Sequence, residues 1–416
     1  MAAASAARAM AAAAAVAPAG RELAFKTAKS LWSRPGASRG LGKLLSEQGC
    51  RSALFVTGPC LRRLGVVDGA LASLHEHGVA AEVFDAVEAD PANTTVDAAV
   101  AAAREVGAGH IVGFGGGSAM DVAKLVACLA APSCTQALDD MYGVEMVSGE
   151  RLPLTLVPTT AGSGSEVTSI SIIKSVGPDG EPMKKAVVSA KLLPDCAVLD
   201  AELTLELPTK VTADSGVDAM VHCIEAFTSR IKKNPIADAL AKEGLRLLSG
   251  SIRTSVVSNP QDVEARAEML LGACLAGMAF NISPVGAVHA LAYPLGSHFG
   301  ISHGLSNSLV LPQVLEFNRG LPEAGALYAE LLPQMHGTAG RLGGVRAGDD
   351  AAAALINEIR MLQHDLNMPT RLTQVGLSKE DIPLLAREAM KQTRLLPNNV
   401  REIHYDDAEQ IYAAVV

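Results

Sequence analysis

No CxxC pair occurs among the seven cysteines of this 416-residue chain, which are odd in number and scattered at 50, 60, 128, 134, 196, 223 and 274. That pattern excludes a disulfide scaffold and fits a reducing compartment, with the thiols as core filling. Nor is there any continuous basic stretch, and the net charge is -9; nucleic acid is excluded as a partner, because its phosphates need clustered Lys and Arg. A membrane is excluded on similar grounds: the nearest candidate for an uninterrupted apolar span, around Ala98 to Ala103, ends at Arg104 and Glu105. Acidic residues are missing before Glu22, and residues 1 to about 20 are nearly all Ala with Arg8 as their one charge. This is the composition of a transit peptide for mitochondrion or chloroplast, and equally of an Ala-rich extension that leaves the protein cytoplasmic; either way it is set outside the fold.

The length exceeds what one hydrophobic core usually sustains, so two domains are expected, and an apolar fraction of 49% excludes global disorder. Apolar runs at 52–57, 81–84 and 109–114 alternate with helical spacing at 64–77 and 94–106, the pattern of a parallel sheet covered by helices. Extended segments at 154–158, 169–174 and 196–199 complete this layer. After Pro208 the spacing turns helical, over 209–230, 235–256, 262–280, 305–318, 323–341, 350–366 and 379–392. The expected architecture is an α/β domain with a parallel sheet over 21–205, followed by a mainly helical domain over 206–416.

Two loops suit a nucleotide. FGGGSAMDVAKLVA (114–127) follows a predicted strand and opens a predicted helix. Gly115, Gly116 and Gly117 let the backbone approach a pyrophosphate, Ser118 and the helix amino terminus supply donors, Asp121 complements the dipole, and Lys124 reaches either phosphate or Asp121. The run is neither GxGxxG nor a Walker A sequence, and a purely structural turn is the plain alternative. In VPTTAGSGSEVTS (157–169), Thr159, Thr160, Ser163 and Ser165 offer hydroxyls at a strand end, suited to nicotinamide, ribose or phosphate; Glu166 has no role that spacing assigns.

Metal-ligand spacing is the sharper signal. Asp218 and His222 lie four apart in a helical segment and face one way, while His289 and His303 lie fourteen apart with His303 just before Gly304. One carboxylate and three imidazoles suit zinc, ferrous iron, cobalt or nickel, and this chemistry alone favours zinc. Each residue alone is as readily a satisfied core side chain; together they are not.

The chain resembles the iron-containing (group III) alcohol dehydrogenase family, which includes lactaldehyde reductases and 1,3-propanediol dehydrogenases. The resemblance is carried by FGGGSAMDVAK, VPTTAGSGSEVTS, KLLPDCAVLD (191–200), GVDAMVHCIEAFTS (216–229) and VHALAYPLGSHFGISHGLSNSLVLP (288–312), in that order. It implies that 21–205 is a Rossmann-like dinucleotide-binding domain and 206–416 a helical metal-binding domain, with one divalent ion, normally Fe(2+) and sometimes Zn(2+), on Asp218, His222, His289 and His303. It further implies NAD or NADP on the glycine loop, an active site in the cleft between the domains, hydride exchange with a small primary alcohol or aldehyde, and assembly as a homodimer or larger homo-oligomer. A zinc-dependent polyol dehydrogenase of related fold and an inactive metal- and nucleotide-binding protein are the alternatives.

Two departures from the family pattern stand out. Tyr293 occupies a position, one turn after His289, where many relatives carry a further histidine; a phenol of pKa ~10 is a poor base, so it serves as a hydrogen-bond donor and the proton's route stays open. Gly58 stands where NAD-preferring relatives carry Asp, which removes a barrier to the 2′-phosphate of NADP, with Arg62 and Arg63 nearby to attract it. Phe280, Leu291, Tyr293 and Phe299 are candidate walls for an aliphatic substrate.

Overall fold

The computed structural model describes residues 23–176, 182–335 and 350–416; the Ala-rich leader and the end of the helix expected over 323–341 lie outside them. The chain divides into two compact units, one of Lys26–Leu207 with Gln261–Gly277, the other containing Pro208–Pro260 and Met278–Val416.

The first unit is built on strands β1 (Ser30–Ser33), β2 (Ser52–Val56), β3 (Ala80–Phe84), β4 (His110–Gly115), β5 (Gly143–Val144), β6 (Leu154–Pro158), β7 (Ile170–Val176), β8 (Pro182–Val188) and β9 (Cys196–Leu199). Six of them form a sheet in the order β1-β9-β6-β4-β2-β3, every neighbouring pair parallel. Its helices are α1 (Leu41–Glu47), α2 (Pro59–Arg63), α3 (Asp68–Glu76), α4 (Asn93–Glu105), α5 (Gly117–Leu129) and the short α6 (Leu138–Met141). Alternation along the strands sends Leu54, Val56, Ile111 and Leu156 to a core shared with α4 and α5, and Ala53, Phe55, Val112 and Phe114 to one shared with α1 and α3. Both faces are thus buried, and each fully buried Leu or Phe contributes about 1.5–3 kcal/mol. The winding passes from β2 to β3 on one side and then to β4 on the other, so the direction reverses between β2 and β4. A ligand of an open parallel sheet sits beyond the carboxyl ends of the strands at this reversal.

Three expectations for this unit need correction. The extended segment 169–174 does not join the main sheet: β7 pairs antiparallel with β8, and both belong to a separate three-stranded sheet with β5. Helix 64–77 starts only at Asp68, because Gly65, at φ +71°, makes a turn after the short α2. A single boundary near 205 also misses the return of Gln261–Gly277, where Gln261 donates to the Leu205 carbonyl and Gly277 packs on Gly164 and Val167.

That returning segment belongs to α9, the third of nine helices α7 to α15: Thr209–Thr228, Pro235–Arg253, Val263–Ile282, Ala287–Phe299, His303–Asn318, Pro322–Leu331, Ala351–Asp365, Ile382–Met390 and Tyr405–Ala413, the count covering the described residues. Among the described residues α9, and not the stretch near Ala98, is the helix long and apolar enough to cross a membrane by length and composition; 61% of its apolar window is buried inside the protein, as in a core helix. In the second unit α7 packs against α8 and α11, and α10 against α11 and α14. Pro294 lies inside α10, and the buried Tyr412 hydroxyl of α15 donates to the Leu291 carbonyl of that helix at 2.6 Å. Helix α15, β1 and β8 have no counterpart in the sequence reading, being short or lacking a clear period.

Candidate functional site

Asp218 and His222 stand one turn apart on α7, His289 in the first turn of α10 and His303 at the first position of α11. One ligand atom from each lies within 4.8 Å of all the others, with Asp218, His222 and His289 buried. His303 differs: its side chain is 37% exposed, so the cluster is closed on three sides and open at the fourth. Gly304 makes the geometry possible, since a Cβ there would lie 2.0 Å from the Asp214 carbonyl oxygen of α7. Only a residue without a side chain lets α11 start so close to α7.

The residues fit a divalent cation. The set is hard carboxylate plus imidazole, and the buried His222 Nδ1 has no hydrogen-bond partner, a state that is costly unless something else fills it. Asp218 holds its carboxyl below the usual range: burial lifts it, but His303, His222, His289 and the Asn307 hydrogen bond outweigh that. Burial and the neighbouring imidazoles push His289 well below its ordinary value, keeping it neutral as a ligand must be.

Four more side chains surround the set. Asn307, one turn after His303, donates from Nδ2 to Asp218 Oδ1 at 2.6 Å and lies 3.3 Å from His289 Nε2, while its buried Oδ1 has no partner. Glu225 lies 2.6 Å from His289 Nδ1 and accepts the Val288 N–H at 2.7 Å, and burial raises its carboxyl to about 7. Phe280 stacks on His222 with ring centroids 4.3 Å apart. Tyr293 stands edge-on to His289 and 5.9 Å from the His303 ring. Phe280 and Tyr293 thus both lie against the histidine cluster. Leu291 is instead fully buried, two residues from His289 and so on another face of α10.

In the first unit the two loops meet at the reversal point. Gly115 has φ +156°, and Gly116 begins α5 with no side-chain cap, leaving the first amides of this helix without a side-chain acceptor. Cβ atoms at Gly116 and Gly117 would lie 3.5 Å from Thr160 Oγ1 and 3.0 Å from Ser163, so the second loop rests against the first. Gly116, Gly117, Ser118, Thr160 and Ser163 are half-buried, whereas Thr159 and Ser165 are interior. Gly58 follows β2 across the reversal and begins α2 in an extended conformation.

Lys124 and Asp121 do not face a phosphate. The fully buried Lys124 ammonium donates to Ser165 Oγ, Thr168 Oγ1 and the Ile170 carbonyl at 2.7, 3.0 and 2.7 Å, which uses all three of its protons. Asp121 lies 3.7 Å from it and accepts from Ser165 Oγ and the Ile172 amide. It sits beyond the first turn of α5, too far along to complement the dipole. Glu166 is buried beside them; burial lifts its carboxyl to about 7, against the pull of Lys124. Burial likewise lowers Lys124 to about 8, opposed by Asp121 and Glu166. The group pins α5 to the second loop and to β7.

Residues 28–201 match the family model for iron-containing alcohol dehydrogenase, and residues 212–416 match the carboxyl-terminal model of the same family. Long-chain-alcohol dehydrogenase 1 of Geobacillus thermodenitrificans is 35% identical over 88% of this chain and 90% of its own length. Sulfoacetaldehyde reductase of Bilophila wadsworthia is 35% identical over 85% of this chain and 89% of its own. Among solved structures, a 1,3-propanediol oxidoreductase superposes with a TM-score of 0.87 at 31% identity, covering 95% of this chain and all of that one. The chain belongs to the iron-containing alcohol dehydrogenase family.

As a member of that family it is a metal-dependent oxidoreductase of small alcohols and aldehydes that works with a nicotinamide cofactor. The comparisons favour this over the zinc polyol dehydrogenase and turnover-free readings. Two residues that contact the cluster carry a spacing legible in the sequence: Glu225 lies seven residues after Asp218 on the same face of α7, and Asn307 four after His303 on α11.

Proposed function

We propose that this alcohol dehydrogenase holds Fe(2+) on Asp218, His222, His289 and His303 and exchanges hydride between a short aliphatic primary alcohol or aldehyde and NADP, with NAD as a weaker alternative. The observation that carries this is the half-open cluster: three buried ligands and a fourth, His303, exposed along one side, so that a substrate oxygen has a side from which to approach. A bound cation supplies Lewis acidity toward an alcohol or carbonyl oxygen, and the nicotinamide carries the hydride. The chain's own part is to bind and orient. Asp218 and neutral His289 present lone pairs to one point, Phe280 holds the His222 ring by stacking, and the Tyr293 hydroxyl donates to the substrate oxygen. The α5 amides with Gly115, Gly116, Gly117 and Ser118 take the pyrophosphate, while Thr160 and Ser163 hold the ribose or nicotinamide amide.

Preference for NADP rests on Gly58, which places no carboxylate at the end of β2, and on Arg62 and Arg63 in α2. Arg62 is paired with Asp68 at 3.2 Å, in exposed positions where such a pair is weak and yields to a phosphate. Gly58→Asp is expected to lower kcat/KM for NADP at least tenfold while sparing NAD. The relatives named above differ in substrate, and the aromatic walls Phe280 and Tyr293 favour an aliphatic one here.

The deciding experiment mixes anaerobically purified, ferrous-loaded protein with NADPH and short aldehydes, following nicotinamide absorbance with metal analysis in parallel. Oxidation that depends on metal and aldehyde is expected, with His289→Ala losing both metal and turnover; full activity in metal-free protein overturns the proposal. A homodimer is also proposed: among the described residues edge strand β1 pairs only with β9, and Leu31 and Trp32 lie exposed on it. Light scattering at micromolar concentration tests this. Organelle targeting by the leader is tested by fusing it to a fluorescent protein.

A further inference from the structure

We propose that Glu225 is a positioning residue that fixes the tautomer and orientation of His289, so that the His289 Nε2 lone pair is aimed into the metal cluster before any ion arrives. The proposal rests on the metal reading of that cluster. Three observations carry it. The residues Asp218, His222 and Glu225 recur on one face of α7 at intervals of four and three, so the helix that supplies two ligands also supplies the carboxylate behind the third. One Glu225 oxygen lies 2.6 Å from His289 Nδ1, and the other accepts the Val288 N–H at 2.7 Å. Finally, α10 begins at Gly286 with no cap from its own side chains, so Glu225 provides from a neighbouring helix the acceptor that this amino terminus lacks.

These contacts have one electronic consequence. A neutral imidazole carries one proton; a carboxylate at Nδ1 keeps it there and leaves Nε2 unprotonated. The same pairing behind a metal-bound imidazole raises its basicity, and loss of such a partner typically costs 10–100-fold in metal affinity. Glu225→Gln is a near-isosteric reversal. The amide oxygen can still take the Val288 N–H, but its NH2 then faces Nδ1 and forces the proton onto Nε2, which blocks the ligand position.

The test uses the full chain stripped of metal, as wild type, Glu225→Gln and His289→Ala, titrated with cobalt(II) alone by absorption and by competition with a chelator. Metal-free wild type labelled with nitrogen-15 histidine is read by NMR, the His289 signals being those missing from His289→Ala. Expected results are loss of cobalt in His289→Ala, 10–100-fold weaker binding in Glu225→Gln, and a wild-type His289 protonated at Nδ1. If Glu225→Gln binds cobalt like wild type while His289→Ala does not, the positioning role is wrong and the metal reading stands. If His289→Ala binds normally, the metal reading itself fails. Should Glu225→Gln not fold, the wild-type tautomer still decides: an Nε2-protonated His289 in metal-free protein overturns the role.

Discussion

At the scale of single residues, Lys124 shows how tertiary contacts reassign a side chain. A lysine two turns into a helix behind a glycine loop reads as a phosphate ligand, yet its ammonium is fully buried and bonded to Ser165, Thr168 and Ile170. Removing one member of such a buried set strands the others without compensation. Lys124→Met is therefore expected to destabilise the first unit by roughly 3–5 kcal/mol, read by thermal or denaturant unfolding. A phosphate-binding lysine would instead raise the Kd for NADP and leave unfolding unchanged. Asn307 makes the complementary case: its amide nitrogen already touches Asp218 and lies near His289 and His303. Asn307→Leu removes the donor that orients the Asp218 carboxylate, and at least tenfold weaker cobalt binding is expected by chelator competition.

Among the elements, the approach of α11 to α7 sets the metal cluster. A Cβ at Gly304 has nowhere to go, because the Asp214 backbone is 2.0 Å from where it would sit. Gly304→Ala must push the start of α11, and His303 with it, away from Asp218 and His222. A loss of about 1–3 kcal/mol in stability is expected from the overpacking, together with weaker metal binding, both measurable on one sample by calorimetry. Such a glycine reads in sequence as an ordinary loop residue, since the atom it avoids lies ninety positions earlier. The pairing of β7 was hidden for a different reason: its extended character is legible over 169–174, but its partner β8 shows no clear period, so a separate sheet of β5, β8 and β7 is not legible.

For the whole molecule, acid lability follows from buried groups in the parallel sheet. His110 on β4 is buried against Thr155 of β6, bonded at 2.9 Å, and burial lowers its pKa to about 4. The unfolded imidazole takes its proton near pH ~6.5 and the folded one only near pH 4, so the stability from its neutral form is full above ~6.5 and lost as pH falls toward 4. That loss is on the order of 3 kcal/mol, and His110→Gln should flatten the fall of melting temperature across this window. Asp195 extends the trend. Burial opposes its ionisation, but Arg151, Lys29 and the Leu154 amide hold its carboxyl far below the usual range, so its contribution is lost at still lower pH.

By itself the sequence determined most of the strands and helices, the glycine loop after β4, the spacing of Asp218, His222, His289 and His303, and the family. Each of these rests on local periodicity or on residue types at fixed spacing, which the chain carries in one dimension. Tertiary structure decided that β2 and β4 flank the reversal where the two loops meet, that Asp121 and Lys124 are internal, that residues 261–277 rejoin the first unit, and that Glu225 stands behind His289. These depend on distances between residues far apart in the chain. Only packing brings such groups close enough for a proton, a charge or a missing side chain to matter.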